Sequence, residues 1–131
     1  MTEIKKLTKI SLIVVAIIPF IFGVILVFLF DLTLNYEGWT NPLHPRAFGG
    51  MCFLGSIFAI VMLRKKEWEE IKLTFMFLYS WFIPVILVEL VLVIILGPTL
   101  LPQTISQMII DQILMWIMLL LGIVSYIKQR S

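Results

Sequence analysis

The sequence predicts an all-α fold: a bundle of four transmembrane helices with both termini in the cytoplasm (N-in/C-in). Three observations predict it. Apolar residues make up 61% of the chain and the mean hydropathy is +1.09, well beyond the roughly 45–50% apolar content of a soluble domain. Four apolar runs stand out, at about 10–30, 47–63, 73–96 and 108–127, and about 20 helical residues cross a hydrocarbon core of ~30 Å. Nine of the ten Lys and Arg residues fall on one side of the resulting topology, as expected when basic loops stay in the cytoplasm. With 131 residues and no low-complexity linker, the chain reads as a single transmembrane domain.

The first run, Ile10–Phe30, has 21 residues. That is longer than the roughly 7–15 of a signal-peptide core, and no small-x-small cleavage site follows, so it reads as a retained span. The second run, Ala47–Leu63, is shorter and is expected to begin among the headgroups. The third, Leu73–Leu96, is long enough with margin. The fourth, Met108–Ile127, is interrupted by Asp111. β-Branched residues are frequent in all four. In hydrocarbon, however, every backbone N–H and C=O needs an internal partner, and that requirement selects helix.

Lys5, Lys6 and Lys9 precede the first run, Arg64, Lys65, Lys66 and Lys72 separate the second from the third, and Lys128 and Arg130 follow the fourth. Only Arg46 lies on the other side. The positive-inside rule therefore places both termini and the 64–72 loop in the cytoplasm. The Asp31–Arg46 loop and the Gly97–Gln107 turn then face outward. In the outer loop Pro42 and Pro45 argue against helix through Asn41–His44. Tyr36, Trp39, Trp68, Trp81 and Trp116 are expected to anchor at the interfaces. The loop segment RKKEWEEIK reads as a solvated turn with flanking cations, with an anionic-lipid contact as the sharper alternative.

Ionisable groups within spans are the candidate functional residues, because each costs at least ~2.5–3.5 kcal/mol at a helix centre. Glu89 lies roughly 12 Å below the outer end of the third span. Asp111 enters the fourth span from the same side, at a similar depth. With Asp31 and Arg46 at the outer boundary, each helix contributes one charge to the same half of the membrane. In the fourth span Thr104, Gln107, Asp111, Met115, Met118, Gly122 and Ser125 recur every three or four residues and share one face. In the second, Gly49, Cys52, Gly55, Ser56 and Ala59 form a small-residue stripe for close helix packing, within the bundle or in a homo-oligomer, with Ala16 and Gly23 as partners in the first.

Two carboxylates at one depth repel when both are ionised, so one keeps a proton unless Arg46 or a bound cation neutralises it. Three readings follow. The cluster is a structural network, a cation or proton pathway opening outward, or a site for a headgroup or small ligand. Pro19 and Pro84 interrupt the backbone ladders of the first and third spans, as fixed kinks or as hinges. They also belong to a short echo, Ile18-Pro19-Phe20-Ile21 and Ile83-Pro84-Val85-Ile86, which suggests paired hairpins.

Cys52, the one cysteine, excludes an internal disulfide, a CxxC redox pair and a thiolate metal cage, and the lone His44, without a second His or Cys at ligand spacing, is weak evidence for metal. His44 reads as a solvent-exposed loop residue or a sensor of outside pH. No GxSxG, HExxH or glycine-rich phosphate loop is present. The expectation is a non-enzymatic protein without cofactor or metal, with no nucleic-acid partner at a net charge of +2.

The stretch WTNPLHPRAFGGMCFLG, Trp39 to Gly55, resembles a motif in uncharacterised prokaryotic four-span membrane proteins. In them a Trp and one or two prolines in the first outer loop lead into an Ala/Gly-rich second span. The Trp after the basic cluster, RKKEW here, is similar too. The resemblance covers about a third of the chain and implies topology, with no activity to carry over.

The leading expectation is an oligomeric ion, proton or small-solute pathway in the cell membrane, using Asp31, Arg46, Glu89 and Asp111. The alternatives are a structural or accessory subunit of a larger membrane complex and a small intramembrane enzyme acting on lipid.

Overall fold

A computed structural model describes residues 2–29, 43–99 and 102–130. Among the described residues the helices are α1 (Lys6–Phe28), α2 (Leu43–Leu63), α3 (Trp68–Ser80), α4 (Phe82–Leu96) and α5 (Pro102–Arg130), with a short 3₁₀ turn at Gly97–Thr99. α3, Trp81, α4 and the turn run on as one 32-residue stretch, giving four helices long and apolar enough to cross a membrane. α1 lies along α2, while α5 packs against α1, α3 and α4.

Each helix starts before the apolar run that marked it, and α1 ends at Phe28, two residues short of the end of its run. α5 starts six residues before Met108 and ends three past Ile127, because helices carry their polar ends outward while a hydropathy window stops at them. α2 begins at Leu43, so His44 and Pro45 are helical. This corrects the expectation of a helix-free Asn41–His44 at Leu43 and His44, while Asn41 and Pro42 lie outside the described residues. The first N–H groups of a helix have no internal acceptor, so the missing donor of a proline in the first turn costs nothing there.

The two prolines behave differently. α1 continues through Pro19, which is buried. Pro84 has no N–H for the Ser80 carbonyl, and the regular ladder breaks between α3 and α4. Trp81 nevertheless keeps right-handed helical angles (φ −60°, ψ −31°), and its N–H reaches the Phe77 carbonyl at 3.2 Å. Ser80 Oγ donates back to the Met76 carbonyl at 2.6 Å. Helical angles and hydrogen bonding thus continue across the interruption at Trp81.

Burial is graded along the bundle. Leu12, Val15, Met62, Ile71 and Phe75 are sealed in a core toward the end where the basic residues gather, and Ile86 is buried farther along α4. Of α4, only Phe82 and Ile86 are buried, and beyond them Val88, Ile94 and Ile95 are more than 60% exposed. A surface this apolar is expected where the solvent is lipid.

Trp68 is buried at 4% exposure, stacked edge-on against Phe75 and Tyr126 with ring centroids 5.3 and 5.8 Å away. It is a core residue, not the interfacial anchor its place beside a basic cluster suggests. The N-terminal segment folds over it. Trp68 N donates to the Thr2 carbonyl at 2.7 Å, and Ile4 N to the Lys66 carbonyl at 3.1 Å. Glu3 and Glu67 form an antiparallel bridge, and Thr2 N donates to Glu69 Oε2 at 3.0 Å. The 64–67 turn is thus strapped down by the N-terminus.

Gln129 ties this strap to the end of α5. Its Oε1 accepts from Lys5 N at 3.0 Å and from Thr8 Oγ1 at 2.9 Å. Its Nε2 donates to the Glu3 carbonyl at 2.8 Å. Gln129 and Thr8 are both buried, so leucine at 129 would strand the Thr8 hydroxyl. Gln129→Leu is expected to cost about 2–3 kcal/mol and to speed amide exchange at Lys5. Unfolding in mixed micelles and hydrogen exchange check this.

Candidate functional site

The candidate site lies at the end opposite the basic residues, where α4 and α5 run side by side. Gln112 on α5 crosses to α4. Its Nε2 donates to the Ile86 carbonyl at 3.1 Å and approaches Glu89 Oε1 at 3.5 Å. Trp116, one turn along, donates its indole N–H to Gln112 Oε1 at 3.2 Å. An indole nitrogen only donates, so Trp116 fixes which end of the amide is oxygen and turns the NH₂ toward Glu89.

Asp111 accepts from Gln107 Nε2 at 3.1 Å, one helical turn away. Adjacent helix residues are turned by about 100°, so Glu89, facing Gln112, and Asp111 occupy neighbouring sectors of α5's surroundings. Both carboxylates are half-buried. Arg46 lies exposed near the start of α2. Asp31, Tyr36 and Trp39 lie outside the described residues, as do the side chains of His44 and Thr104.

The inward face expected for α5 runs on below the carboxylates. Met115, Met118 and Ser125 are buried and Gly122 packs against the ring of Tyr79. Ser11 and Tyr79 share a hydrogen bond inside the core.

The small residues of α2 are taken up within the chain. A Cβ added at Gly49 would meet Val27 Cγ2 at 2.8 Å, and one at Gly23 would meet the Gly49 carbonyl at 3.1 Å, so the two helix backbones cross there in close contact. Gly55 faces Leu78. Ser56 and Ala59 are buried in the core and Cys52 is half-buried. Oligomer formation therefore cannot rest on this stripe, whose packing capacity is used by α1 and α3.

Outside the carboxylates, α4 and α5 leave an open groove of about 480 Å³ lined by Leu90, Val93, Ile113, Trp116 and Ile117, with Gln112 as its polar member. Among the described residues no cluster of three or more His, Cys, Asp or Glu side chains is placed to hold a metal ion. Gln112 is the functional candidate that charge-based reading passes over. The signal was an amide beside Asp111 and one turn before Trp116 in an otherwise apolar helix. Comparison with known protein families, curated proteins and solved structures finds no match to this chain.

Proposed function

We propose that this chain is a multi-pass protein of the cell membrane, with both termini and the 64–67 turn cytoplasmic, that passes protons or small cations through its outer half as an oligomer. Glu89 and Asp111 are the exchanging groups. The observation that carries this reading is the pairing of each half-buried carboxylate with a glutamine amide, Gln112 and Gln107. A carboxyl accepts a hydrogen bond whether ionised or protonated, so a proton can arrive and leave without breaking either pair. A half-exposed acid at that depth is expensive against lipid. A second copy seated beside α4 relieves that cost and completes the pathway.

The reading is tested by reconstituting the purified protein into vesicles that hold a pH-sensitive dye. An imposed gradient should collapse faster than in protein-free vesicles, and more slowly with Asp111→Asn. Collapse at the protein-free rate would remove the pathway. The apolar α4–α5 groove favours a role as accessory subunit of a larger complex in that case, and copurification of a stable membrane partner would support it.

A further inference from the structure

The strap at the basic end shapes a second hollow, of about 330 Å³, lined by Glu3, Ile4, Lys5, Lys6 and Lys9. Three cations against one anion leave it positive. Its geometry is fixed from behind: Lys5 N is bonded to Gln129, Lys5 Nζ donates to the Lys128 carbonyl at 2.5 Å, and Ile4 N is held by Lys66. Lys6 and Lys9 remain exposed on the first turn of α1. Above them, at helical spacing and on the same exposed side, Ile10, Ile13, Ile17 and Phe20 form an apolar strip, each 43–53% exposed. A cationic hollow opening onto an apolar lane matches the amphipathic outline of a phospholipid.

We infer that this hollow binds the phosphate headgroup of an anionic phospholipid, whose acyl chains lie along Ile10, Ile13, Ile17 and Phe20. Lys6 and Lys9 are the residues that meet the phosphate, while Lys5 is occupied in holding the site together. The site requires the basic end to lie at a headgroup layer, and it is independent of proton passage at the opposite end.

Native mass spectrometry of the full chain in detergent, offered equal phosphatidylglycerol and phosphatidylcholine, tests this. The wild type should retain the anionic lipid preferentially. Lys6→Gln/Lys9→Gln should weaken that retention about 25-fold, roughly fivefold or about 1 kcal/mol per lysine. Lys65→Gln/Lys66→Gln, at the same end but outside the hollow and with Lys65 already paired to Glu70, should weaken retention clearly less than the Lys6/Lys9 pair. Circular dichroism checks that each variant is folded, and Lys6→Gln alone, at about fivefold, replaces the double variant should that not purify. Equal retention of the two lipids, or equal loss in the two double variants, would overturn the site. Displacement of the lipid by inorganic phosphate alone would make it a free-anion site and overturn the lipid assignment.

Discussion

Gly122→Ala should destabilise the bundle by about 2–4 kcal/mol, although alanine is the better helix former by about 1 kcal/mol. The added methyl would sit inside the van der Waals envelope of the Tyr79 ring. Tyr79 is buried between Phe75 and Phe82, with centroids 4.3 and 6.0 Å away, so the ring cannot swing aside freely. Moving it also parts the hydroxyl from Ser11 and leaves a buried polar group unpaired. Overpacking and a stranded hydroxyl together outweigh the gain in propensity. Gly50→Ala is the control, because a Cβ there meets nothing within 4 Å; it should be neutral or stabilising by up to about 1 kcal/mol. Thermal or denaturant unfolding in micelles compares the two. A double-mutant cycle with Tyr79→Ala should show strong coupling to Gly122→Ala and none to Gly50→Ala.

Glu89→Gln is expected to lower proton flux about 100-fold, at the low end of what a positioned proton-transfer group contributes, while leaving the protein folded. Glutamine has nearly the same shape and keeps an oxygen for Gln112 to bond, so only the titratable proton is lost. Glu89→Asp keeps the proton but shortens the side chain by about one carbon–carbon bond, widening a contact already at 3.5 Å; an intermediate rate is expected. Gln112→Leu removes the amide and leaves Trp116 without its acceptor. It should slow flux less than Glu89→Gln, because the acid itself remains. Dye-loaded vesicles report all three rates, and equal rates for Glu89→Gln and wild type would reduce Glu89 to a packing residue.

Hydropathy and charge made the helices legible, since apolar runs of membrane length have one answer for their backbone groups. They located Glu89 and Asp111 for the same reason: a carboxylate in such a run is conspicuous. Helical spacing also brought out the inward face from Asp111 to Ser125 and the crossing of Gly49 with Gly23. What stayed hidden depends on contacts between residues far apart in sequence. Nothing local marks Gln129 as the clasp for residues 3–8, or Trp68 as core rather than anchor. Both follow from the N-terminal segment folding across the 64–67 turn, a pairing with no periodicity to betray it. Likewise, which helix takes up a stripe of small residues is decided by the whole bundle, and here α1 and α3 take it.

As an exchanging group, Glu89 is expected to meet water from the side opposite the basic end and from that side alone. A single cysteine placed there by Glu89→Cys, with Cys52→Ala removing the native thiol, tests it in sealed vesicles of known orientation. A membrane-impermeant thiol reagent should label position 89 from the external side alone, and Lys65→Cys in the same background from the cytoplasmic side alone. Position 89 refusing the reagent from both sides, or accepting it from the cytoplasmic side, would contradict the account.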